Sequence, residues 1–198
     1  IANQTNAVVL DVRNQNDFAK AHIPQSIFIG IDGNFAPWVG TLIGDVSQPI
    51  LLITPEGREE ETVTRLSRVG FDNTLGYLKG GINVWRKDGK SIDSVEEVDA
   101  NEFQKLIKEK KQLIFDVRKN IEYNIEHVVN AKNTPLDFIN IHMNKFSNKN
   151  TFYLHCAGGY RSMIAASILK SRGIHNFVDV SGGFNQIKKT KINIISED

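Results

Sequence analysis

One stretch decides the fold: Tyr153-Leu154-His155-Cys156-Ala157-Gly158-Gly159-Tyr160-Arg161-Ser162. Residues 151–155 are rich in aromatic and β-branched side chains, which is typical of a short buried strand. Residues 163–172 carry apolar side chains at helical spacing and are followed by Gly173, a common helix terminator. The sequence therefore predicts a strand, a glycine-rich turn that begins at Cys156, and a helix.

The turn provides a favourable environment for a thiolate. Gly158 and Gly159 allow the backbone to curl so that successive N–H groups point inward. Ser162 is expected to cap the helix, whose positive end faces the same space, and Arg161 adds a cation. These groups favour the thiolate over the thiol and would make Cys156 a nucleophile. The alternative is a buried structural cysteine, which is the common role of a lone cysteine.

The loop Cys156-Ala157-Gly158-Gly159-Tyr160-Arg161-Ser162 resembles the active-site loop of rhodanese-type sulfurtransferases. Tyrosine phosphatases place five residues between the cysteine and the arginine of their loop, whereas four stand here. The tighter ring suits a single sulfane sulfur better than a phosphate group. The resemblance implies that Cys156 and Arg161 are catalytic. It also implies a set of substrate-binding residues: Ala157, Gly158, Gly159, Tyr160 and Ser162.

The same resemblance implies a two-step sulfur transfer that needs no metal and no other cofactor. Cys156 would take the outer sulfur of thiosulfate or of a low-molecular-weight persulfide, and a thiol or cyanide would then remove it. Two alternatives remain open. A cysteine-dependent phosphatase or arsenate reductase would use the same thiolate. A docking or regulatory module of a larger protein would leave Cys156 chemically quiet.

The cysteine loop lies in the second copy of an internal repeat. The stretch Leu10-Asp11-Val12-Arg13 recurs 105 residues later as Phe115-Asp116-Val117-Arg118. The pair Gly80-Gly81 recurs 102 residues later as Gly182-Gly183. Repetition of several landmarks at nearly the same spacing indicates two copies of one domain.

Each copy alternates apolar runs with helical stretches. This pattern predicts an α/β fold, with a mainly parallel central sheet flanked by helices in each of two rhodanese-like domains. The strands expected in copy 1 are residues 8–10, 27–29, 50–53 and 74–78. Those expected in copy 2 are residues 113–115, 131–134, 151–155 and 177–180.

The charged segment 90–97 has few apolar side chains and is the predicted linker. We therefore predict a first domain at 1–90, without a catalytic cysteine, and a second at 91–198, with the cysteine loop. Residues 101–111 form the expected first helix of the second domain. Copy 1 has too few residues before its first strand for a counterpart, so we expect it to be abbreviated at its N-terminus.

Copy 1 replaces the cysteine loop with Thr54-Pro55-Glu56-Gly57-Arg58-Glu59-Glu60-Glu61. The stretch offers no strong nucleophile, and no base stands near Thr54 to activate its hydroxyl. Acidic side chains at a helix N-terminus satisfy the backbone amides themselves and repel an incoming anion. We therefore expect copy 1 to be catalytically inactive.

An Asp-x-Arg turn directly follows the first strand of each copy. We interpret Asp11 with Arg13, and Asp116 with Arg118, as ion pairs that hold the end of the strand. His155 precedes the cysteine on a strand, so its side chain is expected to point away from the Cys156 thiol. It is interpreted as a packed or hydrogen-bonded neighbour rather than as a general base.

Other polar and apolar side chains near the loop receive weaker assignments. Glu122 and His127 loosely match a stretch of the rhodanese family and are interpreted as markers of the fold. No histidine spacing predicts a metal site. Four side chains are candidates for the mouth of the site: Tyr160, Met163, Phe138 and Met143.

The composition favours an enzyme of a reducing compartment. The chain has 198 residues, 24 Lys+Arg against 23 Asp+Glu and a net charge of +1, which argues against nucleic acid as a partner. No apolar run is long enough to span a membrane. The single cysteine excludes an internal disulfide, so we expect a cytoplasmic location. Because the chain starts at Ile1, we expect it to be a piece of a longer protein.

One more segment narrows the resemblance. The stretch Asp32-Gly33-Asn34-Phe35-Ala36-Pro37-Trp38-Val39-Gly40-Thr41-Leu42 is similar to a segment of bacterial fusion proteins. Those proteins join a metallo-β-lactamase-like persulfide dioxygenase to two rhodanese-like domains, the first of which lacks the cysteine. The resemblance implies that this chain is the C-terminal tandem of such a protein, with small sulfur donors, thiol acceptors and the metallo-β-lactamase-like domain as partners.

Overall fold

The computed structural model describes most of the chain, in three ranges: residues 1–110, 112–146 and 149–196. The expected helix end at Lys111 lies outside these described residues, as do Glu197 and Asp198 at the end of the expected second domain. The chain divides into two compact units, domain 1 (Ile1–Ser94) and domain 2 (Val95–Asp198). The division falls inside the expected linker, four residues beyond the expected boundary.

Domain 1 is built on a four-stranded parallel sheet in the order β2–β1–β3–β4. The strands are β1 (Val8–Asp11), β2 (Ile27–Phe28), β3 (Ile50–Ile53) and β4 (Thr74–Tyr77). The helices are α1 (Ala2–Thr5), α2 (Gln15–Lys20), α3 (Phe35–Leu42), α4 (Glu59–Ser67) and α5 (Gly81–Lys87). The strands are apolar because the helices cover them, and Leu10, Phe28 and Ile50 are fully buried.

Domain 2 is built on a five-stranded parallel sheet in the order β5–β10–β9–β6–β8, with a separate antiparallel pair β7–β11. The strands are β5 (Glu97–Val98), β6 (Leu113–Asp116), β7 (Glu126–Val128), β8 (Lys132–Asn133), β9 (Phe152–His155), β10 (Phe177–Val180) and β11 (Ile194–Ser196). The helices are α6 (Ala100–Glu109), α7 (Asn120–Ile125), α8 (Ile139–His142), α9 (Tyr160–Ser171) and α10 (Gly183–Ile187). Two 3₁₀ turns, Leu136–Phe138 and Met143–Lys145, flank α8.

The two sheets share an arrangement, because β2–β1–β3–β4 of domain 1 corresponds to β8–β6–β9–β10 of domain 2. Domain 2 adds the edge strand β5 and the helix α6. Within the described residues of domain 1 the only helix before β1 is the four-residue α1, as the expected abbreviation of copy 1 implies. The expected α/β fold with parallel sheets is confirmed.

Two local expectations were wrong, and one pair of strands was not predicted. Glu97, expected in the linker, lies in β5 and pairs in register with Asp179 of β10. The antiparallel pair β7–β11 was not expected, because each strand has only three residues and no clear alternation. Helix α9 begins at Tyr160 rather than at Met163, since the turn is complete at Gly159.

The helix α6 stabilises domain 2 through Phe103, which is fully buried and lies 5.2 Å from the Tyr153 ring of β9 between ring centroids. Phe103→Ala is expected to lower the free energy of unfolding of domain 2 by about 3–5 kcal/mol, because it leaves a cavity in the core. Hydrogen exchange of the β9 amides in the full chain measures this change.

Lys105→Ala is the matched control, because Lys105 is exposed on the same helix. It is expected to change the same free energy by less than about 0.5 kcal/mol. Equal loss of protection in the two variants would contradict the assignment of Phe103 to the core of domain 2.

Candidate functional site

The cysteine lies directly after β9, at the carboxyl end of a central strand. Gly159 has φ +99°, which closes the turn, and its N–H donates a hydrogen bond of 3.1 Å to the Cys156 sulfur. The Cys156 residue is only 1% exposed. A backbone N–H that points at a sulfur stabilises negative charge there, as expected for an anion cradle.

The turn after β10 packs directly against this loop. Phe184 N–H donates to the Cys156 carbonyl at 2.7 Å, and Asn185 N–H donates to the Ala157 carbonyl at 2.9 Å. A Cβ on Gly183 would lie 2.4 Å from the Cys156 carbonyl oxygen, so only glycine fits there. In a trans peptide the N–H points opposite to the preceding carbonyl, so the Ala157 and Gly158 amides are directed away from α10.

The guanidinium of Arg161 is held by a carboxylate from α7. Its two terminal nitrogens donate to the two Glu122 carboxylate oxygens at 2.5 and 2.7 Å. This hydrogen bonding raises the pKa of Arg161, and the nearby charge of Cys156 raises it further. The same pair lowers the pKa of Glu122. The structure adds a contact that the sequence did not predict, because Glu122, interpreted as a marker of the fold, binds the arginine of the loop.

The prediction that Ser162 caps helix α9 is wrong. Gly159 occupies the N-cap position, and α9 has no side-chain cap. Ser162 is the third residue of the helix, is fully buried, and its hydroxyl donates to the Gly159 carbonyl at 3.2 Å. The Ser162 backbone can border the cysteine loop, but the Ser162 side chain is buried beneath that loop.

Only some of the residues predicted to line the mouth of the site are exposed enough to do so. Gly158 is exposed and Ala157 and Tyr160 are half-buried, so these three residues border the solvent side of the loop. Met163 is fully buried in the core and cannot line the mouth. Phe138 is 50% exposed on the segment between β8 and α8, which leaves it a candidate.

Asp116 and Arg118 form a buried two-point ion pair with contacts from 2.6 to 3.0 Å. Arg118 also donates to the Glu126 carbonyl at 2.7 Å, and its guanidinium lies 4.0 Å above the Phe184 ring. The interpretation as a structural ion pair that holds the strand end is confirmed. It supports the site indirectly, because Phe184 is the residue that anchors the Cys156 carbonyl.

His155 is a packed neighbour of the cysteine, as expected. It is fully buried, its Nδ1 lies 3.2 Å from the Cys156 carbonyl oxygen, and burial lowers its pKa. Among the described residues its Nε2 has no hydrogen-bond partner. A neutral, enclosed imidazole of this kind fixes packing and is not placed to exchange protons with solvent.

Asp179 is a buried acid behind the site that sequence reasoning missed. It lies in β10, is fully buried, and within the described residues neither carboxyl oxygen has a hydrogen-bond partner by geometry. Burial raises its pKa to about 8, although the nearby Ser162 hydroxyl opposes the shift. The available signal was one aspartate in the otherwise apolar strand Phe177–Val180.

Domain 1 contains the corresponding turn but lacks the cysteine. Glu59 turns its carboxylate back over the loop and accepts hydrogen bonds from the Gly57 N–H and the Thr54 hydroxyl, both at 3.3 Å. Arg58 is engaged by Asp32 at 2.6 Å and by Glu61 at 2.8 Å. The expectation that acidic side chains satisfy the amides of this loop is confirmed for Glu59.

The described residues also bear on metal binding and on membrane insertion. No group of three or more His, Cys, Asp or Glu side chains in those residues is placed to hold a metal ion. None of the helices in the described part of the chain combines the length and the apolar character needed to cross a membrane.

Comparison with known proteins gives one family. A sequence model of the rhodanese-like domain matches residues 1–88 and 99–190. The chain is 35% identical over 127 residues, 61% of its length, to the adenylyltransferase and sulfurtransferase uba4 of Ogataea parapolymorpha. It is 30% identical over 97 residues, 46% of its length, to the tRNA uridine(34) hydroxylase of Hamiltonella defensa.

The chain spans only a part of these relatives, 30% of the first and 27% of the second. Among solved structures, a thiosulfate sulfurtransferase from Pseudomonas aeruginosa is 20% identical with a TM-score of 0.45. That match covers 97% of this chain and 41% of the other.

The Arg161–Glu122 pair is expected to set the local charge at Cys156, and therefore its reactivity toward charged reagents. Glu122→Gln removes the carboxylate that offsets Arg161, so Cys156 is expected to react faster with iodoacetate, an anion, relative to neutral iodoacetamide. The expected increase in this rate ratio is about two- to fivefold, because Glu122 is partly exposed and solvent screens the pair.

Arg161→Gln is expected to lower the same ratio, and Glu102→Gln, on the exposed face of α6, is expected to leave it unchanged. An unchanged ratio in both Glu122→Gln and Arg161→Gln would contradict electrostatic coupling of this pair to the thiol.

The burial of Asp179 predicts how the folding stability of the chain depends on pH. Its carboxyl keeps a proton in the folded state up to about pH 8, whereas the unfolded chain releases it near pH 4. The unfolded state therefore binds fewer protons between these values, and stability falls as the pH rises through this window. Asp179→Asn is expected to make this loss of stability with rising pH smaller.

Urea unfolding of Asp179→Asn and of the exposed control Glu109→Gln, at pH 5 and pH 8, measures this effect. The stability advantage of Asp179→Asn over the unsubstituted chain is expected to be larger at pH 8. An advantage of equal size at both pH values would show that Asp179 does not hold its proton.

Proposed function

The chain belongs to the rhodanese-like domain family, and we propose that domain 2 is a sulfurtransferase that carries one sulfur atom as a persulfide on Cys156. The observation that carries this proposal is the 3.1 Å hydrogen bond from the Gly159 N–H to the Cys156 sulfur. It places a donor at the sulfur that carries the negative charge of the thiolate.

In the first step the Cys156 thiolate attacks the outer sulfur of the donor. A sulfur–sulfur bond forms on Cys156 while the donor's own bond to that sulfur breaks and its electron pair leaves with the remainder. Thiosulfate releases sulfite, and a low-molecular-weight persulfide releases its thiolate. The inward amides of the loop then stabilise the terminal sulfur of the cysteine persulfide.

In the second step a thiol acceptor in its thiolate form, or cyanide, attacks the terminal sulfur. The bond between the two sulfurs breaks, and the electron pair returns to Cys156 as thiolate. The product is a new persulfide or thiocyanate. No electron is gained or lost overall, so the cycle needs no redox partner and no metal.

The Arg161 geometry supports sulfur transfer over phosphate chemistry. A phosphatase loop needs a guanidinium that presents two parallel donors to the phosphoryl oxygens. Here both terminal nitrogens of Arg161 donate to Glu122 instead. The remaining function of Arg161 is a positive field near Cys156, which favours the approach of an anionic donor to a thiolate.

We propose a non-catalytic role for domain 1, because Thr54 stands in place of the cysteine and the Glu59 carboxylate occupies the loop.

We also propose that the tandem exchanges sulfur with a metallo-β-lactamase-like persulfide dioxygenase in the cytoplasm, where a single thiol remains reduced. The segment 32–42 and the order of an inactive domain before an active one support it. Purified tandem and dioxygenase that fail to associate or exchange sulfur would contradict it.

Cys156→Ser is expected to abolish transfer of sulfur from thiosulfate and from glutathione persulfide while leaving the circular dichroism spectrum unchanged. Intact-protein mass spectrometry after each donor is expected to show one added sulfur atom on the unsubstituted chain, removed by cyanide. The hydroxyl introduced by this substitution cannot form the adduct, because it remains protonated at neutral pH and is a far weaker nucleophile than a thiolate.

The matched control is Thr54→Ala, which changes the corresponding position of domain 1 and is expected to retain full transfer. Full activity in Cys156→Ser would refute the proposal. Addition of phosphate from an aryl phosphate, with no sulfur adduct from either donor, would select the phosphatase alternative.

A further inference from the structure

Asp179 is a buried carboxyl group behind the cysteine loop that the proposed sulfur transfer does not use. It lies in β10 with no exposed surface, and within the described residues neither of its oxygens has a hydrogen-bond partner. Burying such a group costs stability, and packing alone would be served by an apolar side chain. We propose that Asp179 is a positioning residue of the sulfurtransferase site, which acts through the Ser162 hydroxyl on the turn at Gly159. The inference rests on the proposed function of domain 2 and adds a residue to that site.

The sheet directs the Asp179 side chain toward α9. Val178 and Val180, on either side of Asp179, pack with Phe103 of α6 in one core cluster. Because side chains alternate along a strand, Asp179 points to the opposite face of the sheet, where α9 packs. Ser162 of α9 is fully buried, and its hydroxyl is close enough to act on the pKa of Asp179. A carboxyl group and a hydroxyl group therefore face each other between the sheet and the helix.

The Ser162 hydroxyl links Asp179 to Gly159. It donates its one proton to the Gly159 carbonyl at 3.2 Å, and among the described residues its oxygen accepts no hydrogen bond. The Met163 N–H donates to the same carbonyl at 3.0 Å, so this carbonyl has two donors. The N–H of Gly159 in turn donates to the Cys156 sulfur at 3.1 Å. Because glycine has little conformational preference of its own, the groups that hold the Gly159 carbonyl also limit the direction of its N–H.

The proton of Asp179 decides how the Ser162 hydroxyl is oriented. Since the hydroxyl gives its only proton to Gly159, its oxygen can only accept from Asp179, and only a protonated carboxyl can donate to it. Burial, with a smaller contribution from the Glu97 carboxylate of β5, raises the pKa of Asp179 to about 8 against the opposing effect of Ser162. Leu154, its partner in β9, adds no charge. An ionised Asp179 would accept the Ser162 proton instead, and the Gly159 carbonyl would lose one donor.

Domain 1 has a tyrosine at the position of this acid. Tyr77 pairs with Leu52 of β3 as Asp179 pairs with Leu154 of β9, so the two residues share one register position. Tyr77 is 49% exposed, whereas Asp179 is fully buried. The buried acid thus accompanies the cysteine and is absent from that position in the domain without one. This distribution is expected of a residue that serves the sulfur rather than the fold.

An NMR titration of the full chain tests the link, because the Asp179 carboxyl carbon and the Gly159 amide can be followed separately. Both signals are expected to change with a midpoint near pH 8. In Asp179→Asn, whose side-chain amide donates to Ser162 at every pH, the Gly159 amide is expected to lose this transition. In Ser162→Ala the carboxyl is expected to titrate still, while the Gly159 amide follows it far less. Ionisation of Cys156 also moves this amide, but in every variant, so the differences between variants isolate Asp179.

The initial rate of sulfur loading from thiosulfate, followed by intact-protein mass spectrometry, measures the consequence for the site. Between pH 7 and pH 9 the rate of the unsubstituted chain is expected to fall about two- to tenfold relative to that of Asp179→Asn, the range of one neutral hydrogen bond. Glu109→Gln removes an exposed acid of α6 and is the matched control. It is expected to follow the unsubstituted chain at both pH values.

A Gly159 transition near pH 8 that persists in Asp179→Asn, or one of undiminished size in Ser162→Ala, would overturn the proposal. Equal pH profiles of sulfur loading in the unsubstituted chain and in Asp179→Asn would also overturn it. Absence of any sulfur adduct at either pH would instead refute the proposed function. The NMR titration measures the link from Asp179 through Ser162 to Gly159 without sulfur transfer, so the two failures are distinguishable.

Discussion

The site depends on the contact between the turn after β10 and the cysteine loop. Two short hydrogen bonds from the Phe184 and Asn185 amides hold the carbonyls of Cys156 and Ala157 against α10. Because each peptide unit is planar, fixing these carbonyls also fixes the direction of the Ala157 and Gly158 amides without any side chain. Gly183 permits the approach, since any side chain would collide with the Cys156 carbonyl. The direction of these two amides is thus a property of backbone packing between the segments that follow two neighbouring strands.

The two domains show what happens when this contact is kept or lost on the same framework. Their four shared strands have the same order, and their glycine turns have nearly the same backbone angles. In domain 2 the turn closes on the loop, and the structure around Cys156 is compact. In domain 1 the loop carries Glu59, the turn stands clear of it, and an open cleft remains. One fold therefore provides either an enclosed sulfur or an open space at the same edge.

The sequence was informative where a single segment carries the signal. Apolar runs predicted most of the eight sheet strands shared by the domains, since strands buried on both faces are largely apolar. Strand β8 is an exception, because it is only the polar pair Lys132–Asn133. The glycine pair was visible because it recurs. The Arg161–Glu122 pair joins residues 39 positions apart, and no local pattern records which carboxylate a guanidinium will meet. Ser162 looked like a cap by spacing, yet the helix began earlier because Gly159 already completes the turn.

The carboxylate of Glu59 has a further meaning for domain 1. It lies 3.3 Å from the hydroxyl of Thr54, the residue that stands where domain 2 has its cysteine. A thiol introduced at that position would face a fixed negative charge, and two anions so close cannot both persist without a large penalty. A single substitution at Thr54 would therefore restore the sulfur atom but not its reactivity. Domain 1 lacks both the nucleophile and the electrostatic environment that a nucleophile would need.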